Sequence, residues 1–293
     1  MNTEEILKKV RKIEIISKKI SNETFAGEYH SAFKGRGMEF AEVREYQVGD
    51  DIRFIDWNVS SRMGKLFVKQ FTEERELSLI LAIDLSASLN FFSGVKSKKE
   101  IAAEISAIIA FTAMLNKDKV GLLIFTNEIE LYVPPKKGKT HLLRLIREIL
   151  SFTPRGRGTS LEKGLSYLNT ILKKKSIVFL ISDYIDSNFY KPLKIASKKH
   201  DLISINISDI REEKIPDRGL FLLRDFETEE DFYIDFSSHS DRKDFTDMFL
   251  RNDSQLKENL KKYKVDIINI NSESDYEKPI FNFFLKRKKQ LSR

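Results

Sequence analysis

Asp84, Ser86 and Ser88 stand at alternate positions where the apolar run 79–83 ends, in the stretch LILAIDLSAS. In an extended loop such alternation aims three oxygen-bearing side chains the same way. A second apolar run, 177–181, leads through Ser182 to Asp183, and Thr159 lies in the glycine-flanked segment RGRGTS ahead of a helical pattern. A carboxylate that ends a buried strand is costly unless it meets solvent, hydrogen-bond donors or a cation. Two of them in one crevice repel each other, and a divalent ion relieves that repulsion. Oxygen-only ligation suits Mg²⁺ or Mn²⁺. The chain has no cysteine, and its four histidines, His30, His141, His200 and His239, are scattered without metal spacing, so they read as single surface residues. The expected metal ligands are Asp84, Ser86, Ser88 and Thr159, with Asp183 acting through water. Singly, Asp84 and Ser86 could equally cap a helix or close an Asx-turn. The five positions together favour a cation.

Such residues converge only if strands end along one edge. Continuous apolar strands are predicted at 78–83, 177–181 and 202–207, with amphipathic helices over 98–115, 140–150, 161–172 and 189–197. Strands 120–125 and 128–133, joined by a two-residue polar turn, form a hairpin. A two-stranded insertion follows at 219–224 and 232–236, then a helix at 244–262, a strand at 265–270 and a last helix at 278–287. This alternation gives an α/β fold with a doubly wound, mainly parallel sheet covered by helices on both faces. In such sheets ligands bind beyond the carboxyl ends of the strands, where the strand order changes direction. Ahead of the sheet, residues 4–20 carry apolar positions at helical spacing, and 27–76 are glycine-punctuated and irregular. The expected domains are 1–76, an N-terminal helix plus irregular α+β module, and 77–288, the α/β domain with a hairpin insertion at about 216–237. A basic tail at 289–293 ends the chain.

Among the 293 residues, 41% are hydrophobic and 32% charged, the balance of a folded protein. No apolar run reaches the eighteen or so residues a membrane helix needs. The N-terminal MNTEEILKKVRK has acids where a secretory leader has a basic block, so a cytoplasmic protein is expected. The formal charge of +7 comes from 51 basic and 44 acidic residues, interspersed along the chain. Nucleic-acid binding through KKGK at 136–139, or through Lys286, Arg287, Lys288, Lys289 and Arg293, lacks interleaved aromatics and any known motif, and the tail reads as a frayed basic end.

The order Asp-x-Ser-x-Ser, loop threonine, post-strand aspartate resembles the metal-ion-dependent adhesion site of von Willebrand factor A domains, at Asp84, Ser86, Ser88, Thr159 and Asp183. Residues 35–74, GRGMEFAEVREYQVGDDIRFIDWNVSSRMGKLFVKQFTEE, resemble the signature of the bacterial domain-of-unknown-function family fifty-eight, through Gly35, Gly37, Glu39, Phe40, Arg44, Tyr46, Gly49, Asp50, Arg53, Ile55, Asp56, Trp57, Arg62 and Glu74. Residues 216–230 resemble that family's hairpin, with Glu229 in place of its usual glycine. The resemblance implies an accessory protein of a MoxR-type AAA ATPase, one that captures an acidic ligand of a protein partner through bound Mg²⁺. Read physically, the 35–74 charges around Phe40, Tyr46, Phe54 and Trp57 form an ion-pair and hydrogen-bond network that docks the module onto the sheet, with Trp57 as its apolar anchor. The enzymatic alternative makes Asp84 a phosphoacceptor or a metal ligand in phosphoryl transfer or hydrolysis. Ser86 stands where a phosphatase Asp-x-Asp needs its second acid, and no glycine-rich phosphate loop occurs.

Overall fold

The computed structural model describes residues 5, 8, 10–12, 14, 15, 23–33, 39–72, 77–90, 96–186, 188–209, 219–224, 230–273 and 275–291. Its elements run α1 (Glu23–Phe33), β1 (Glu39–Glu45), α2 (Trp57–Met63), β2 (Phe67–Thr72), β3 (Ser78–Asp84), α3 (Lys98–Leu115), β4 (Lys119–Phe125), β5 (Ile129–Lys136), α4 (Lys139–Ser151) and α5 (Leu161–Ile171). They continue with β6 (Ile177–Ser182), α6 (Tyr190–Lys199), β7 (Asp201–Ser208), β8 (Leu220–Arg224), β9 (Asp231–Asp235), α7 (His239–Lys262), β10 (Asp266–Asn271) and α8 (Glu277–Leu291).

Six strands form one sheet in the order β10-β7-β6-β3-β4-β5. All neighbours are parallel except the edge hairpin β4–β5. From β3 the chain winds outward through β4 and β5, then returns to β6 on the other side of β3. The switch point therefore lies between β3 and β6, where the carboxyl ends of adjacent strands diverge into loops. This is the doubly wound α/β class expected from the alternation of runs.

Burial explains the continuous apolar strands. Leu79, Ile80, Leu81, Ala82 and Ile83 are all at most 1% exposed. Ile80 and Ala82 face Leu161, Leu165 and Leu168 of α5, Leu193 and Ala196 of α6, and Leu256 and Leu260 of α7. The alternate side chains point to the opposite face, where α3 packs on the sheet. Helix α3 is buried along most of its length, more than a single apolar stripe would give.

Contacts divide the chain into a larger unit, Met1–Ala32 with Leu77–Arg293, and a smaller one, Phe33–Glu76. The sequence reading set residues 1–76 together, whereas the described part of the N-terminus goes with the sheet. The reason is aromatic packing that sequence distance conceals. The ring of Phe284 in α8 lies edge-on to Phe25 at 5.3 Å and to Tyr29 at 5.6 Å, and Tyr29 Oη donates to Asp118 Oδ2 at 3.1 Å.

In the smaller unit β1 and β2 are antiparallel. Asp56 caps α2 by accepting from the backbone N–H groups of Asn58 and Val59, and Gly64 closes it with φ +69°. Arg44 grips both carboxylate oxygens of Asp50 at 2.7 and 2.8 Å, and Asp51 pairs with Arg53. The expected ion-pair network is therefore present in part within this unit, and Trp57 takes the first position of α2. Gly35, Gly37 and Glu74 of the signature, most of residues 4–20 and the 225–229 turn lie outside the described residues.

Lys286, Arg287, Lys288 and Lys289 of the C-terminal basic cluster are not part of a frayed end, and Arg293 lies outside the described residues. Helix α8 runs to Leu291, Lys288 Nζ reaches Glu28 Oε1 at 3.0 Å, and Arg287 pairs with Asp201. Helix α7 begins five residues earlier than expected, after a turn in which Asp235 accepts from Ser237 N–H at 2.8 Å. His200 is buried, contrary to the surface reading, because it ends α6 directly against the start of β7. Among the described residues no helix is long and apolar enough to cross a membrane.

Candidate metal centre

Strand β3 delivers Asp84 to the switch point with no exposure at all, and Ser86 is equally buried. Ser86 N–H donates to Asp84 Oδ1 at 2.9 Å, an Asx-type turn that fixes the carboxylate plane. The hydroxyls of Ser86 and Ser88 lie 3.1 Å apart. The alternation read from sequence thus does bring three oxygen-bearing side chains together. The other Asp84 oxygen, Oδ2, accepts from Ser182 Oγ at 2.8 Å, and Ser182 Oγ in turn accepts from Tyr184 N–H at 2.9 Å.

Asp183 follows β6 with its side chain 2% exposed. The next residue, Tyr184, has φ +58°, a conformation that costs a bulky side chain about 1–3 kcal/mol, so the chain turns sharply just beyond the carboxylate. Tyr184 Oη holds that turn by donating to the Leu180 carbonyl at 3.1 Å. Asp183 Oδ2 accepts from Lys98 Nζ at 3.2 Å, while its Oδ1 is buried without a hydrogen-bond partner.

Burial, and secondarily the neighbouring Asp183 carboxylate, push Asp84 up to about 7, against the lowering effect of the Ser86 and Ser182 hydrogen bonds. Two carboxylates and one ammonium thus share the crevice. With both acids ionised, one negative charge is left over.

Thr159 belongs to the loop between α4 and α5, which is anchored on three sides. Ala87 N–H donates to Arg157 O at 2.8 Å, Ser160 N–H to Thr126 O at 3.1 Å, and Leu161 N–H to Asp186 Oδ2 at 2.8 Å. Glu130 Oε1 accepts from the backbone N–H groups of Arg155 and Gly156. Within this glycine-rich segment, Gly156 has a steric purpose. A Cβ there would sit 2.0 Å from Asn127 Oδ1 and 2.3 Å from Thr126 Oγ1. The loops bearing Ser86, Thr159 and Asp186 are in this way stitched into one rim.

Sequence reasoning missed Lys98, Ser182, Asp186 and Glu130. Ser182 looks like one more small residue in a buried strand. Lys98 carried a signal: a lysine at the first position of a helix opposes the helix dipole, so its charge needs another reason to be there. Ser97 and Glu100 form a capping box that sets this helix start, and with it the placement of Lys98. Among the described residues no three His, Cys, Asp or Glu side chains cluster as a metal site, so any cation here would depend on hydroxyls as well as carboxylates.

Residues 42–255 match the model of the family described as Protein of unknown function DUF58. The chain belongs to this family. A curated relative is the uncharacterized protein Rv1480 of Mycobacterium tuberculosis (strain H37Rv), 29% identical over 222 residues that span 75% of this DUF58 chain and 70% of the relative. Among solved structures, the conserved hypothetical protein BatB from Bacteroides thetaiotaomicron aligns with a TM-score of 0.49 and 14% identity, over 73% of this chain and 99% of that one. The SpRpn10 VWA domain aligns with a TM-score of 0.40 and 12% identity, over 71% and 95%.

Proposed function

We propose that this DUF58 member is a non-enzymatic, cytoplasmic interaction module whose switch-point crevice holds Mg²⁺ or Mn²⁺ and captures an acidic side chain of a protein partner. Asp84, Ser86, Ser88 and Thr159 would hold the cation, with Asp183 acting through water. The observation that carries this reading is the buried Asp183 Oδ1, without a hydrogen-bond partner beside a second buried carboxylate and a pair of touching hydroxyls. A buried anionic oxygen without a donor is too costly to leave uncompensated. The donor set is all oxygen, which fits a hard divalent ion. When bound, the ion supplies positive charge and a coordination position for a carboxylate. The chain's own part is orientation: Ser86 N–H and Ser182 Oγ fix Asp84, and Lys98 retains one oxygen of Asp183 while leaving the other to the crevice. A MoxR-type AAA ATPase is the partner proposed, on the strength of the family resemblance.

The test pairs two measurements. Calorimetric titration of the protein with Mg²⁺ is expected to find one site, absent in Asp84→Ala. Pull-down of a MoxR-type ATPase is expected to succeed in Mg²⁺ and fail in chelator. Mg²⁺ binding without ATPase capture would remove the partner and keep the cation site. Capture undiminished by chelator and by Asp84→Ala would remove the latch itself.

A further inference from the structure

Strand β10 is the parallel edge of the sheet, bonded only to β7 among the described residues. An edge strand presents a row of unpaired N–H and C=O groups, which natural proteins cover, interrupt or charge. The opposite edge, β5, is interrupted: it carries Pro134 and Pro135, which have no N–H to offer. Strand β10, DIININ, has no proline.

A groove of about 570 Å³ runs along β10, walled by α7 and α8. Its lining includes the consecutive residues Val265 to Asn269. A cavity over the face of a strand meets alternate side chains, so consecutive residues mean that this one follows the strand's edge. Five residues at about 3.3 Å each give about 16 Å, the length of a short extended peptide.

The charge around the groove is one-sided. Lys257, Lys261 and Lys264 approach from α7 and the turn after it, and Lys286 and Arg287 from α8, against the single lining carboxylate of Asp266. Lys257 pairs with Asp253, and Arg287 with Asp201 and Asp266. Lys261, Lys264 and Lys286 are exposed and have no carboxylate partner among the described residues. These lysines belong to the flanking helices and the turn rather than to the strand, so they rim an accessible edge instead of blocking it. The basic C-terminal cluster, unused by the switch-point site, supplies one wall.

We infer that this groove binds an extended, acidic peptide segment of a partner protein by adding it as a seventh strand beside β10, with Lys261, Lys264 and Lys286 gripping its carboxylates. Backbone pairing supplies affinity and the lysines supply selectivity. The site lies at the sheet edge and does not rest on the cation reading.

The experiment uses the full chain and fluorescein-labelled hexapeptides of alternating Val and Glu, or alternating Val and Lys, followed by fluorescence anisotropy. Hydrogen exchange of the β10 amides is measured in parallel. The acidic peptide is expected to bind and to protect 266–271, and the basic one to do neither. Charge reversal at the three lysines, K261E/K264E/K286E, is expected to weaken binding at least tenfold while circular dichroism stays unchanged. Methylation of alternate backbone nitrogens of the peptide is expected to weaken it comparably; Asp84→Ala and chelator are expected to leave it intact. Equal affinity of the N-methylated peptide would overturn strand addition, since charge alone would then suffice. Binding of a 20-nucleotide single strand with steep salt dependence, without acidic-peptide binding, would overturn the peptide assignment in favour of nucleic acid. Absence of any binding would leave the lysines as edge protection and equally overturn it.

Discussion

Lys98 and Asp183 make an ion pair whose side chains are 0% and 2% exposed. Removing one partner of such a pair costs about 3–5 kcal/mol, because the other charge stays buried and uncompensated. Lys98→Met keeps the stem and removes the ammonium, leaving Asp84 and Asp183 to face each other. In chelator, urea unfolding is expected to show a loss of about 3 kcal/mol, the lower end of that range because Asp84, already pushed up to about 7, can take a proton. In millimolar Mg²⁺ the deficit is expected to shrink, since a cation in the crevice replaces the lost charge. A deficit of the same size in both buffers would sink the cation site while leaving the ion pair as a purely structural element. The acids and hydroxyls of this site were legible because their spacing interrupts apolar runs. Their compensating partners were not. Lys98 comes from the start of α3 and Ser182 from the last position of β6, so neither is visible as a partner without knowing which strands are neighbours.

At the scale of elements, runs such as 79–83 and 177–181 could be placed because a strand buried on both faces has few alternatives. The β4–β5 hairpin followed from its short polar turn. What resisted reading was how loops are held, since their anchors come from other elements. Glu130, on the edge strand β5, is the clearest case: its Oε1 accepts from Thr126 Oγ1 at 3.0 Å, Arg155 N–H at 2.9 Å and Gly156 N–H at 2.8 Å. Glu130→Ala takes the acceptor from two backbone donors and frees the loop that carries Thr159. The expected cost is about 0.5–1.5 kcal/mol, the net worth of a hydrogen bond, because the Arg155 N–H is exposed and water can take the place of the lost acceptor. A sharper readout is limited trypsin digestion, because Arg155 and Arg157 sit in that loop. Cleavage there is expected to be faster in the variant, and Glu130→Gln, which keeps an oxygen acceptor, is expected to fall between. Unchanged cleavage in Glu130→Ala would mean that the Ala87, Ser160 and Leu161 hydrogen bonds hold the loop without it.

Across the larger unit, residues near the two ends of the chain meet in one aromatic cluster, a closure that no local pattern announces. Phe284 is fully buried; its ring meets Phe25 and Tyr29 of α1, and Lys288 one turn on pairs with Glu28. Asp118 extends the link, since it accepts from Tyr29 Oη and, through its other oxygen at 3.0 Å, from Leu77 N–H at the entrance to β3. Burial, and then the Asp118 carboxylate, raise the Tyr29 phenol well above its ordinary value, so it stays a donor. Helix α1 thus depends on a helix more than 240 residues further along the chain. Phe284→Ala is expected to cost about 3–5 kcal/mol in urea unfolding, the usual range for a truncated core phenylalanine. Phe281→Ala is expected to cost less, because that side chain is half-buried and its ring contact with Phe25 is tilted at 5.8 Å. Hydrogen exchange separates loss of packing from loss of closure. In Phe284→Ala, amides of 23–33 are expected to lose protection together with those of α8. Loss in α8 alone would show that residues 23–33 hold to the larger unit without the C-terminal helix.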